Sequence, residues 1–181
     1  MLHLHLFTDG SVHTQSKSGV GAYLLLSDTH APIDSISTKV KLKKFDNTSS
    51  TKLELQTLLW AVNEVNSQEI GEDLTLTIYT DSQNIISLPE RQTRLESNNY
   101  ISRKHKPLAN AELYQEFYQL INDCSLGLNS ASSNTYSANK YIFVKMKGHK
   151  ISGEKDKLDQ LFSLVDRAAR RGLREIVLCH S

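Results

Sequence analysis

Cysteine, tryptophan and long apolar runs are scarce in this chain, and each scarcity narrows its class. Only two cysteines, Cys124 and Cys179, occur in 181 residues, too few for a disulfide framework. They read as free thiols, and a cytoplasmic protein is the expectation. No run of about 18 apolar residues occurs, so no transmembrane helix and no membrane partner is expected. The first residues lack a basic region, an apolar stretch and a small-residue cleavage site, so no secretion signal is expected. The single tryptophan, Trp60, falls in a helical stretch and reads as core. Charge of one sign is also missing. The net charge is only +1, so support for a nucleic-acid partner has to come from local clusters. Two are visible: Arg103-Lys104-His105-Lys106 with Arg91 and Arg94 upstream, and Lys145, Lys147, His149 and Lys150.

What is present is the composition of one soluble globular domain over residues 1–181, with 39% hydrophobic and 23% charged residues. The stretch "LHLHLFTD" at Leu2–Asp9 returns as "LTLTIYTD" at Leu74–Asp81. Leu2, Leu4 and Leu6 alternate with His3, His5 and Phe7, the period of a strand. Gly10-Ser11 is expected to end that strand, and Gly19–Ser27 and Ser35–Leu42 read as two more. Ser49–Ser67 repeats Leu55, Leu58, Leu59, Val62 and Val65 at helical spacing after a Ser-Ser-Thr start. Leu74–Thr80 is the fourth strand, followed by a helix from Ser82 to about Pro89. Residues 90–106 read as a basic irregular segment, Ala109–Asp123 as a helix and Ser125–Asn139 as a Ser/Asn-rich loop. Tyr141–Met146 is the fifth strand, Lys157–Leu173 the last helix and Glu175–Cys179 a short terminal strand. Apart from that terminal strand the order is βββαβααβα, a mixed α/β fold with a five-stranded mixed sheet flanked by helices.

The repeated strand carries a chemical expectation. A crossover through the helix leaves strand four parallel to strand one. If the two are neighbours, Asp9 and Asp81 lie side by side at the carboxyl edge of the sheet, where sites of open α/β folds form. Adjacent carboxylates repel, and a divalent cation removes that cost. Oxygen ligands select Mg²⁺ or Mn²⁺ over zinc. Each aspartate alone has a bland reading, Asp9 as a turn residue and Asp81 as a helix cap. The matched strands make the metal reading the better one. Glu54 lies in the first turn of its helix in line with Leu58, Ala61 and Val65, the core side, where a glutamate ordinarily has a partner.

These motifs have a family resemblance. "FTDGS" on a first strand, "TKLEL" opening a first helix, "YTDSQ" closing a fourth strand, "VKMKGH" after a fifth and "LVDRAAR" in a last helix together resemble the type 1 ribonuclease H family, in the family's own order. The resemblance implies the ribonuclease H-like fold and an endonuclease that hydrolyses the RNA strand of RNA–DNA hybrids, leaving 3′-hydroxyl and 5′-phosphate ends. It implies two Mg²⁺ or Mn²⁺ ions held by Asp9, Glu54, Asp81 and Asp166, and His149 as the loop histidine of proton movement or product release. Gln83 matches a minor-groove contact. Gly10, Ser11, Ser50 and Thr51 would touch the hybrid, with Lys145, Lys147 and the 91–106 segment on phosphates. Two departures stand out. Ser50 and Thr51 replace the Asn-Asn pair of many bacterial members, and the 91–106 segment lacks the tryptophans of their basic protrusion. Asp159, seven residues before Asp166, is a second candidate for the fourth carboxylate. The Arg167-Ala168-Ala169-Arg170 that follows favours Asp166. The expected state is a monomer without an obligate protein partner. The rival readings are another nuclease of the same superfamily, such as an integrase, resolvase or exonuclease, and a non-catalytic hybrid-binding module.

Overall fold

The structure, a computed structural model, describes residues 2–68, 74–125, 140–147 and 155–178. The strands are β1 (Leu2–His13), β2 (Ser18–Leu26), β3 (Lys41–Phe45), β4 (Leu74–Thr80) and β5 (Lys140–Lys145). The helices are a one-turn α1 (Ile33–Ile36), α2 (Ser50–Asn66), α3 (Gln83–Ser97), α4 (Ala111–Ser125) and α5 (Lys157–Leu178). They form one five-stranded sheet in the order β3-β2-β1-β4-β5. β1 pairs antiparallel with β2 and parallel with β4, and β4 pairs parallel with β5. Apart from the short α1 and 3₁₀ turn inserted between β2 and β3, the expected βββαβααβα order and mixed sheet are present.

Both faces of the sheet are covered, which explains why β1 is apolar on both sides. Leu4 and Leu6 join a core with Leu55, Leu58 and Val62 of α2, Ile85 and Leu88 of α3 and Phe117 and Tyr118 of α4. Phe7 points the other way, into a core with Leu24, Tyr79 and α5 residues Leu161, Val165 and Ala169. Trp60 is half-buried, with its Nε1 donating to Glu64 Oε1 at 2.7 Å. Glu64 also accepts from Tyr23 of β2 and ion-pairs with Lys41 at 2.7 Å, which ties the edge strand β3 to α2. No described helix is long and apolar enough to cross a membrane.

Four elements differ substantially from the sequence reading. β1 does not stop at Gly10. Gly10 pairs with Gly21 and Ser11 with Val20, so β2 carries β1 on to His13. The strand expected at Ser35–Leu42 is instead α1 and a 3₁₀ turn at Ser37–Lys39, with Ile36 buried. The third strand falls on the lysine-rich Lys41–Phe45, exposed along most of its length, and a charged edge of this kind discourages pairing with other chains. The helix expected to end near Pro89 continues to Ser97 because Leu88 and Leu95 bury in the core on either side of the proline, outweighing its missing N–H. So residues 90–97 are helical, and only the remainder of the 90–106 segment is irregular. Finally, Glu175–Leu178 form the last turn of α5 and no terminal strand. The Ser/Asn-rich segment after Ser125 lies outside the described residues.

The approach of α2 to the sheet depends on missing side chains. A Cβ on Gly10 or Gly19 would stand 2.9 or 2.7 Å from the Leu53 side chain, and one on Gly21 would stand 2.1 Å from Thr57 Oγ1. This glycine floor in β1 and β2 seats the first two turns of α2. Thr57 is fully buried and its hydroxyl donates to Leu53 O at 2.8 Å, so it has little room to yield. Gly21→Ala is therefore expected to destabilise the fold by about 1–3 kcal/mol, and Thr57→Ala to recover part of the loss in the double variant. Urea denaturation of the four proteins of that cycle measures both; strictly additive effects would show that the two positions do not compete for space.

Candidate active site

The parallel ladder between β1 and β4 ends at Phe7 opposite Tyr79. Beyond it the two strands separate. β1 continues along β2, while β4 ends at Thr80 and turns into α3. Asp9 and Asp81 each lie two residues past the last pair, on the strand faces of Phe7 and Tyr79. That is the face α5 covers, and Asp166 of α5 comes within hydrogen-bond reach of Asp9. Glu54 arrives from the opposite face on the first turn of α2. Its Oε2 accepts from Ser82 Oγ at 2.5 Å, and the negative charge of Asp81 acts on it.

Electrostatics record this crowding. Asp9 is pushed up to about 7, by burial first and by Asp81 next, against the opposing effect of a 2.7 Å bond from Gly10 N to its Oδ1. Asp166 raises it further, by charge and by accepting a hydrogen bond. Glu54 is also raised, by burial first and partly by Asp81, while Ser82 and Ser50 hydroxyls work the other way. A proton on Asp9 thus offsets the mutual repulsion when nothing else does. Asp166 Oδ1 is held by Arg170 Nε at 2.7 Å.

A hard divalent cation fits this donor set, because it is built of carboxylate oxygens around a partly buried excess of negative charge. Among the described residues no three His, Cys, Asp or Glu side chains are closed around one point. Glu54 Oε2 accepts from Ser82 Oγ and Asp166 Oδ1 from Arg170 Nε.

Asp159 is occupied otherwise. It accepts from Asp156 N at 3.1 Å and its own N–H donates to Asp156 Oδ1 at 2.8 Å, a reciprocal capping box at the start of α5. The structure thus brings Asp166, and not Asp159, against Asp9. Likewise the cap of α3 is Ser82, whose Oγ accepts from Ile85 N, and not Asp81. Ser82 is the residue the sequence reading underweighted. It caps α3 and grips Glu54 at once, and a hydroxyl three residues ahead of the buried Ile85 is the signal for it.

The expected nucleic-acid contacts surround this cleft unevenly. Ser50 and Thr51 are exposed on the first turn of α2, and Gln83 on the first turn of α3. Lys145, at the end of β5, donates to Gln83 Oε1, and Lys147 is exposed two residues on. Ser11 is half-buried in β1. The Gly10 amide is engaged by the Asp9 side chain, so it is not a ready donor to a ligand. His149 lies outside the described residues. Beyond α3 a tight hairpin, bridged at Ile101 and Pro107, exposes Arg103, Lys104, His105 and Lys106. Far from the carboxylates, His3 and His5 stack at 4.5 Å and bond Thr77 and Tyr79 of β4 at 2.8 and 3.0 Å.

A mixed sheet ordered β3-β2-β1-β4-β5 with carboxylates at the split between β1 and β4 defines a class of fold, and comparison with known proteins agrees. The PFV RNase H domain, known from a solution structure, superposes with a TM-score of 0.64 at 16% identity, covering 93% of each chain. A foamy viral protease-reverse transcriptase in complex with an RNA/DNA hybrid superposes at 0.61 with 15% identity, covering 93% of this chain and 20% of that one. The same type of viral enzyme in complex with dsDNA gives 0.53 at 11% identity, covering 92% of both chains. No curated protein matches by sequence. The RNase H family profile matches residues 2–131, and the chain belongs to the RNase H family.

The raised Asp9 makes stability depend on pH. A carboxyl lifted from its ordinary range to about 7 favours the fold while protonated, and that contribution is lost as pH rises through about 7. Asp9→Asn keeps a neutral side chain at every pH. Without divalent ions it should therefore be more stable than the wild type at pH 8, on the order of 2–4 kcal/mol, and similar to it at pH 4. Thermal unfolding in EDTA at the two pH values measures this; a difference that does not change with pH would show that Asp9 bears no buried-charge cost.

Proposed function

We propose that this protein is an endonuclease that hydrolyses the RNA strand of RNA–DNA hybrids. The observation that supports the reading best is the meeting of Asp9, Asp81 and Asp166, with Glu54 beside Asp81, at the split edge of an RNase H sheet. Asp9, Glu54, Asp81 and Asp166 would hold two Mg²⁺ or Mn²⁺ ions, which when bound supply an activated water and stabilise the leaving oxygen. Water adds to the phosphorus, the P–O bond to the 3′-oxygen breaks, and the products carry 3′-hydroxyl and 5′-phosphate ends. Asp9 is half-buried and fixed on a central strand, so it is the least movable of the four carboxylates that would hold the ions. Glu54 and Asp166 sit on helices from opposite faces and close the set from two sides. His149 is assigned the role of moving a proton or releasing product, chemistry that an imidazole side chain can supply.

Selection of a hybrid would come from groove shape and 2′-hydroxyls. Ser50, Thr51 and Gln83 offer short hydrogen-bonding groups at the starts of two helices that converge on the carboxylates. Lys145, Lys147 and the exposed 103–106 hairpin offer cations to the two backbones. The protein acts as a monomer in this reading, and the reaction needs no second chain.

A labelled RNA–DNA hybrid with Mg²⁺ tests the proposal, run beside duplex DNA and single strands. Cleavage confined to the RNA strand of the hybrid is expected, and Asp9→Asn or Asp81→Asn should lower it by about 10³-fold or more, as loss of a central electrostatic group does. Asp166→Asn should also cost far more than Asp159→Ala. The latter removes one half of a capping box, worth about 1 kcal/mol of stability, and should leave the rate per folded molecule nearly unchanged. Full turnover in Asp9→Asn would end the carboxylate mechanism, and the reverse order of the two α5 variants would mean that the fourth carboxylate is misassigned.

A further inference from the structure

His3 and His5 lie at the start of β1, at the end of the sheet away from the carboxylates. They precede Asp9 by six and four residues, about 20 and 13 Å along the strand. Being two apart, they share one face. Their rings stack with centroids 4.5 Å apart and 28° between the planes. His3 is exposed and His5 half-buried, so the pair is open to solvent. Each ring is tied to β4 through one nitrogen. His3 Nε2 lies 2.8 Å from Thr77 Oγ1, and His5 Nδ1 lies 3.0 Å from the Tyr79 hydroxyl. Among the described residues the other two nitrogens, His3 Nδ1 and His5 Nε2, have no hydrogen-bond partner.

Side chains at a solvent-facing strand end ordinarily keep their rotamer freedom. Here both rings are oriented by hydroxyls of the next strand. Anchoring one imidazole nitrogen to an acceptor fixes the tautomer and leaves the lone pair of the other nitrogen for a metal ion. Two such nitrogens on one tetrahedral ion stand about 3.3 Å apart, given metal–nitrogen bonds of about 2.0–2.1 Å. Stacked rings with centroids 4.5 Å apart come to that spacing with small tilts. Asp28 follows two residues after Leu26, the partner of His5 in β2. Its negative charge acts on His5 and opposes the cost of placing a cation there. Burial first, and His3 next, hold the His5 imidazole below its ordinary range, so at neutral pH it is the free base that a metal requires. Among the described residues no third His, Cys, Asp or Glu closes the pair into a three-ligand centre, and the remaining coordination positions are left to water. Donor type also separates this pair from the carboxylate cleft. Imidazole nitrogen suits Zn²⁺, Cu²⁺ and Ni²⁺, whereas carboxylate oxygen suits Mg²⁺ and Mn²⁺.

We propose that His3 and His5, oriented by Thr77 and Tyr79, form a two-imidazole binding site for a transition-metal ion of the Zn²⁺ class. The site does not depend on the nuclease reading. An ion held on β1 by ligands that lean on β4 would also reinforce the parallel pair whose split carries Asp9 and Asp81.

Calorimetric titration of Zn²⁺ into the metal-stripped full chain tests the site, at neutral pH and in excess Mg²⁺ to occupy the oxygen donors. A saturable event at one equivalent is expected. His3→Gln and His5→Gln should each weaken it about ten-fold or more, since each removes one of the two ligands. Tyr79→Phe keeps the ring and removes only the hydroxyl; it should weaken binding about ten-fold, as loss of an outer-shell partner does. His13→Gln, at the other end of β1, should leave it unchanged. Cu²⁺ in place of Zn²⁺ gives a second readout: its electron paramagnetic resonance spectrum at one equivalent should show two imidazole nitrogens, and one in His3→Gln. His3 is exposed, so this variant carries the test where one at His5 or Tyr79 does not fold. Absence of a saturable equivalent in the wild type, full affinity in His3→Gln or Tyr79→Phe, or an equal loss in His13→Gln would overturn the proposal.

Discussion

The geometry of this protein depends on a parallel pair of strands that stops early. β1 and β4 run side by side as far as Phe7 and Tyr79, and there their courses divide. The chain has to place two aspartates where the ladder gives out, because a continuous ladder would leave no room between them. Above the split Asp9 and Asp81 are near enough for each to feel the other's charge. Below it Phe7 and Tyr79 stack at 4.4 Å with rings nearly parallel. An apolar floor under a pair of carboxylates keeps water from screening them from beneath, so burial is the first cause of the raised Asp9.

Two helices then complete the site from opposite sides, and each is placed by packing remote from the chemistry. α2 sits close because Gly10, Gly19 and Gly21 yield it the space of three side chains. Glu54 follows directly after Leu53, the residue that fills that space, so the closeness of the helix sets the reach of the carboxylate. α5 is positioned by Leu161, Val165 and Ala169 against Phe7 and Leu24, and Asp166 follows Val165 in the same way. In both cases an acidic residue stands next to a fully buried apolar one. The apolar neighbour anchors the backbone, and the acid is carried to the rim of the core.

Much of this arrangement is legible in residues. The repeated strand with its terminal Thr-Asp, the core-side Glu54 and the pattern around Asp166 each point to the edge where they meet. What was not legible has a common cause, local pattern overridden by tertiary contact. Gly10 reads as a breaker in isolation and is a pairing position opposite Gly21. Pro89 reads as a stop, yet Leu88 and Leu95 hold the helix on both sides of it. Lys41–Phe45 has little strand character of its own, and becomes a strand through β2 and through Lys43 lying over the Phe45 and Trp60 rings. The role of Asp159 was equally hidden, since a capping box with aspartate at both ends resembles a pair of acidic candidates until the backbone N–H bonds are seen.

Under the proposed reading, charge placement accounts for how a chain of net charge +1 serves a polyanion. A cleft lined by carboxylates repels phosphate, and uniform positive charge elsewhere would invite any nucleic acid into any pose. Here the exposed cations lie at two places, Lys145 and Lys147 at and just after the end of β5 and Arg103, Lys104 and Lys106 on the hairpin beyond α3. Under the proposed reading grip and chemistry are therefore separated in space. Those groups hold the two backbones. The centre becomes hospitable to a phosphodiester only once its excess negative charge is met by divalent ions.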